Sequence, residues 1–181
     1  MKPGTRALGV AESYRESTST LAGCVVRASR VVDGLAFASC TVGGTDATEA
    51  ICQLVDRLDR EDIQYLLVAG IAPAWFNVID LHRLHETTAL PTLSVSFEAS
   101  EGLEPAINDA FEGESRAVRL STYRAQPERE RVELEAGPVY VRSVGVDDPA
   151  GVVRAFTPAG RRPEPVRVAR LAARAAERYA P

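Results

Sequence analysis

The chain has 181 residues, of which 45% are hydrophobic and 25% charged, proportions that exclude a globally disordered, collagen-like or linker chain and fit one domain across residues 1–181. Its net charge of −4 gives no global reason to expect nucleic acid or an anionic membrane. No apolar run approaches the roughly 18 residues of a membrane-spanning helix, and residues 1–10 carry only Lys2 and Arg6 with no long apolar core, unlike a secretory signal, so a cytoplasmic protein is expected.

Residues 6–10 are short and apolar and read as a first strand, with the polar stretch 12–19 as a loop. Runs 21–27 and 35–42 read as an antiparallel hairpin turned at Asp33-Gly34. Gly43-Gly44 ends the third strand. Thr45 and Asp46 then bring N-cap chemistry to a helix whose apolar face is Ala47, Ile51, Leu54, Val55 and Leu58. A short buried strand follows at 65–69, a loop around Gly70 and Pro73, a helix at 77–87, and a strand at 92–97 introduced by Pro91. A helix at 103–111 comes next. The charged segment 112–131, with Gln126-Pro127, reads as an exposed connection, and 132–135 and 139–146 flank Gly137-Pro138 as a second hairpin. Asp147-Asp148-Pro149 caps a helix near 150–155, a loop rich in Pro and Arg spans 157–165, and an alanine-rich helix fills 166–179.

Three antiparallel strands, then helix and parallel strand twice, is the element order of an α/β ribonuclease H-like fold: three layers, a mixed sheet whose antiparallel first three strands are followed by parallel strands, and helices on both faces. A flavodoxin-like sheet fits only slightly worse.

Charge is unevenly spread. From residue 151 to the end, seven arginines face two acids, and Lys2 is the only lysine among 21 basic residues. Arg167, Arg170, Arg174 and Arg178 recur three or four apart and form one stripe of the last helix. With Arg161 and Arg162 before it, such a stripe either follows a phosphate backbone or pairs with acidic patches of the same or a second subunit. Trp75 and Phe76 lie in a Pro-containing loop just after a strand, where an open sheet places its crevice. Trp75 either stacks on an unpaired base or plugs the core; Asn77 either reads a base edge or caps a helix. His82 and His85 share a helix face without announcing a third ligand. Cys24, Cys40 and Cys52 lack metal-type spacing and read as small buried side chains in a reducing compartment.

Gly9-Val10-Ala11-Glu12-Ser13-Tyr14 resembles the first-strand motif of endonuclease V, and Leu66-Leu67-Val68-Ala69-Gly70 resembles its later strand ending in aspartate-glycine. Residues 45–49, 70–80 and 163–169 resemble more closely an archaeal family related to endonuclease V, the domain of unknown function numbered ninety-nine. The resemblance implies a ribonuclease H-like fold and a link to repair of DNA at deaminated bases, deoxyuridine or deoxyinosine. It also implies magnesium or manganese held between carboxylates of neighbouring strands, because a hard cation takes oxygen ligands.

Ala11 and Ala69 occupy the positions where the two aspartates are expected, and no metal ligand is assigned. Glu12 points to the opposite face from Ala11 in an extended strand. Asp46 is either an N-cap or a ligand, and Glu49 either completes a capping box with it or serves the metal. If the protein cuts DNA, Glu12, Asp46 and Glu49 are the candidate ligands and water-activators, with single-stranded or damaged DNA as partner along Trp75, Phe76, Asn77, Arg161, Arg162, Arg167, Arg170 and Arg174. The alternative is a non-catalytic interaction protein or self-associating homo-oligomer that keeps the nuclease fold and uses residues 163–179.

Overall fold

The computed structural model describes residues 1–179. Strands β1 (Arg6–Arg15), β2 (Thr18–Arg27) and β3 (Val32–Thr41) form an antiparallel meander. Strand β1 also pairs in parallel with β4 (Tyr65–Ala69), and β4 with β5 (Thr92–Ser96). An antiparallel hairpin of β6 (Glu130–Val132) and β7 (Val139–Val144) completes the seven-stranded order β3-β2-β1-β4-β5-β7-β6. This is the mixed sheet of a ribonuclease H-like fold.

Side chains alternate across the pleat, and the alternation sorts the helices. On one face, Leu8, Val10, Leu66 and Val68 pack against Ile51 and Leu54 of α1 (Ala47–Leu58) and Leu81 and Leu84 of α3 (Leu81–Thr88). On the other, Ala7, Leu67, Leu93 and Val95 meet Val152, Val153 and Phe156 of α6 (Pro149–Phe156) and Val166 of α7 (Glu164–Tyr179). Helix α7 runs close over β1 because Gly9 has no side chain there: a Cβ at that position would collide with the Pro165 backbone. The one-turn α2 (Pro73–Phe76), α4 (Glu104–Ala110) and α5 (Gly113–Arg124) gather on the α3 side around Val78, Ile107 and Leu120.

Four sequence expectations are corrected. Residues 12–19 are not a loop: β1 and β2 stay paired from Glu12↔Leu21 to Arg15↔Thr18 around a turn at Glu16-Ser17, with Glu16 at φ 55°. The ladder satisfies the backbone even where polar side chains leave the core. Asp33-Gly34 is inside β3, not a turn. The chain reverses before it, with Arg30 at φ 70°, and a register shift at Val25/Val26 absorbs the offset. The third helix begins at Leu81, where Asp80 accepts from the Arg83 amide at 3.0 Å, so 77–80 precede it. The segment 112–131 holds α5, whose only buried residues are Arg119 and Leu120; with no apolar stripe, periodicity could not reveal it.

Candidate nucleic-acid site

The parallel strands β1, β4 and β5 end at a crevice of about 460 Å³, where open α/β sheets bind ligands. Its floor follows from register. Ser94 pairs with Val68 and Arg142, and Ser96 with Tyr140, so these polar side chains share the face that Val68 gives to α1 and α3. Glu12, two residues beyond Val10, lines the same crevice. Arg129 lies over the Tyr140 ring at 4.2 Å and donates to Ser100 O at 3.1 Å, closing the far rim.

The near wall is α2, and it is wound the wrong way. Ala74, Trp75 and Phe76 have φ of 46°, 55° and 60°, left-handed values that disfavour L-residues by about 1–2 kcal/mol each. Such strain persists only where the surroundings fix it. Ala74 O accepts from the Gly43 amide at 2.7 Å, Pro73 O from the Asn77 amide at 3.0 Å, and Phe76 O from Arg119 Nε at 3.1 Å. The Trp75 ring packs on Phe111 with centroids 5.0 Å apart. It also lies over Gly43, where a Cβ would come within 2.8 Å of it. Trp75 is nevertheless 51% exposed, so one surface of the indole faces the crevice mouth.

Sequence reasoning missed Arg119. It is 4% exposed, stacks over Phe111 at 3.9 Å, and donates to Gly43 O, to Gly44 O at 2.9 Å and to Ser115 O at 2.9 Å as well as to Phe76 O. Burial pulls its pKa below the usual guanidinium value. It ties α5, the Gly43-Gly44 turn and α2 together, and its only sequence signal was an arginine in a segment that looked solvated.

The carboxylates are dispersed. Glu12 accepts from Ser19 Oγ at 2.8 Å. Ala11, on the opposite face, is 4% exposed against Cys24, Val26 and Ala169. Asp46 accepts from the Thr41 amide at 3.1 Å, Thr41 Oγ1 at 2.8 Å and Asn77 Nδ2 at 2.7 Å, and makes no side-chain cap bond to α1. Burial pushes its pKa up, and the bonds from Asn77 and Thr41 outweigh that and hold it below the ordinary value. Asn77 Oδ1 takes the Ala47 amide at 2.9 Å: the cap of α1 comes from across the fold, and Asn77 is fully buried. Glu49 is exposed and pairs with Arg83 at 2.7 Å, so Asp46 and Glu49 form no capping box.

Among the described residues, no group of three or more His, Cys, Asp or Glu side chains is placed to hold a metal ion, and the carboxylates of the crevice lining are Glu12 and Glu98. This donor set does not fit a magnesium or manganese centre of the kind the resemblance implies. His85 lies on the Leu90 carbonyl at 2.8 Å, His82 is exposed, and the three cysteines are free and buried, with burial pushing Cys24 and Cys40 up to about 11.

The arginine stripe divides. Arg167 is bound by Glu164 through bonds of 2.8 and 2.6 Å. Arg161 donates to Phe97 O at 3.1 Å, and Arg162 lies over the Phe97 ring at 4.4 Å. The crevice thus gathers Glu12, Trp75 and Phe76; Asp46 and Asn77 meet at the start of α1, whose first turn carries Glu49, and Arg167, Arg170 and Arg174 lie on α7 with Arg161 and Arg162 just before it.

This architecture can be set beside known proteins. A protein described as UPF0215 from Pyrobaculum calidifontis is 33% identical over 179 residues, 95% of this chain and 97% of its own. A crystal structure of a protein of unknown function from Archaeoglobus fulgidus superposes with a TM-score of 0.84 at 26% identity, covering 95% of this chain and 98% of that one. Endonuclease V from Ciona intestinalis, in complex with a 24mer DNA containing an inosine followed by a ribo-adenosine, shares the fold with a TM-score of 0.63 at 15% identity, covering 96% and 86%. The family described as Endonuclease dU matches residues 3–177, and with that match over nearly the whole length the chain belongs to this endonuclease V-like family.

Proposed function

We propose that this protein binds single-stranded or damaged DNA and takes a deaminated base, deoxyuridine or deoxyinosine, into the crevice between α2 and β7. The observation that carries the reading is Trp75, a half-exposed indole fixed by a strained turn at the mouth of a polar-floored crevice. Base stacking on an aromatic ring contributes about 1–3 kcal/mol. The hydroxyls of Ser94 and Ser96 on the floor offer donors and acceptors to a base edge, beside an Arg142 guanidinium held by Pro127 O and the Tyr123 hydroxyl. The family description names deoxyuridine, and the Ciona endonuclease V is bound to inosine-containing DNA.

With Ala11 and Ala69 in place, this chain's residues bind and orient the strand. The same two alanines favour a second reading, a non-catalytic interaction protein on the nuclease fold. Fluorescence titration of the single tryptophan tests both. Uracil- or hypoxanthine-containing single strands should quench it, and Trp75→Ala, followed by anisotropy of dye-labelled strands because it removes the only tryptophan, should weaken binding by about 1–3 kcal/mol. Cleavage of the same strands, with and without magnesium or manganese, then separates a nuclease from a binder. Absence of quenching, with Trp75→Ala binding unchanged, overturns the crevice as a base site.

A further inference from the structure

A charged cluster lies outside the crevice, on the opposite face of the same sheet end. Ser96 and Glu98 line the crevice, while Phe97 between them packs with the core of the α6 and α7 side. Arg162 lies on that Phe97 ring. Its Nη1 is buried without a hydrogen-bond partner. Arg161, Arg170 and Arg174 stand close enough to pull its pKa down further, after burial itself. Among the described residues none of these four arginines has a carboxylate within ion-pair distance, whereas Arg167, on the same helix, is neutralised by Glu164.

Folding alone does not favour this arrangement. A buried guanidinium nitrogen without an acceptor is penalised, and three neighbouring positive charges add to the penalty. Both are relieved by an anion with several oxygens, and the planar guanidinium fork matches a phosphate. We propose that Arg162, Arg170 and Arg174, flanked by Arg161, form a phosphate-binding site that holds a backbone phosphodiester of the strand whose base enters the crevice. The strand assignment rests on the DNA-binding reading above; the anion site does not.

The full-length protein is melted at constant ionic strength in chloride, inorganic phosphate or dimethyl phosphate. Both phosphates should raise the midpoint over chloride, in the parent and in Trp75→Ala. The rise should disappear in Arg170→Ala/Arg174→Ala, whose partly and fully exposed side chains can be removed without disturbing the core, and should shrink in Arg162→Lys, which keeps the charge and loses the fork. The double alanine variant should also bind short single-stranded DNA about tenfold or more weakly and flatten the slope of log affinity against log salt by about 1.4, two contacts at about 0.7 each. No rise with either phosphate, or unchanged DNA affinity and slope in the double variant, overturns the site. A rise with inorganic but not dimethyl phosphate overturns the backbone assignment in favour of a free or terminal phosphate. Phosphate binding without any DNA binding overturns the DNA reading and leaves the anion site standing.

Discussion

Ala11 and Ala69 are next in register after Val10 and Val68, which pair in parallel on β1 and β4, so the two methyl groups stand side by side on one face about 4.8 Å apart. Two carboxylates at that spacing would repel, raising the pKa of one of them, and would supply adjacent oxygens for a hard divalent cation. Ala11→Asp with Ala69→Asp should therefore melt below the parent in chelator, because desolvated carboxylates are introduced beneath Ala169. Magnesium should raise the variant's midpoint and leave the parent's nearly unchanged. A double variant indifferent to magnesium would show that these positions do not complete a metal site. In the sequence Asn77 was readable as a helix cap or a base reader but not as the cap of α1, and Arg119 was not readable at all, because their defining partners are remote along the chain: Ala47 and Asp46 lie 30 and 31 residues from Asn77, and Gly44 lies 75 from Arg119.

Among the elements, α2 and α5 form one device, a left-handed turn held by a helix that contributes one buried guanidinium. Replacing Arg119 with Leu leaves the carbonyls of Gly43, Gly44 and Phe76 without their donor and removes the stacking on Phe111. The expected loss is about 2–4 kcal/mol in urea unfolding, with a shift in Trp75 emission as α2 relaxes. Arg119→Lys should fall between, because it keeps charge without the fork. Parent-like stability together with unchanged emission would mean that α2 is held by other contacts. A repeating apolar signal made α1, the core strands and α7 legible from sequence, and α4 and α6 were legible too, α6 through its Asp-Pro cap. Helix α5 has too little buried surface to produce that signal. The end of the β1–β2 hairpin hid for a related reason, since Tyr14 and Arg15 extend the ladder into solvent, where backbone pairing continues and side-chain alternation no longer reports it.

Across the whole molecule, the crevice occupies one end of the sheet and an ionic network the other. Arg6 at the start of β1 and Arg27 at the end of β2 both reach Asp33 on β3, at 2.5 and 3.0 Å. Arg60, from the connection between α1 and β4, meets Asp33 at 3.2 Å and Asp62 at 2.7 Å. The antiparallel-then-parallel plan of the sheet was readable from the order of strand and helix signals along the chain. This network was not, since Asp33 looked like a turn residue and its partners converge only after β1, β2 and β3 have paired. The bonds from Arg27 and Arg6, with a further one from Arg60, hold the Asp33 carboxyl well below the usual carboxylate range. A carboxyl depressed in the folded state stabilises at pH values above its unfolded pKa, about 3.9, and that contribution fades as pH falls towards the folded value. The parent should therefore lose stability on acidification below about pH 4. Asp33→Asn should be less stable at neutral pH and fall less steeply in acid, and added salt should narrow the gap because the groups are partly solvated. Because the network lies at the far end of the sheet from Trp75, the same variant should bind single-stranded DNA at neutral pH as the parent does. Parallel acid profiles for parent and variant would mean that other carboxylates carry the pH dependence, and a loss of binding in Asp33→Asn would mean that the two ends of the sheet are coupled.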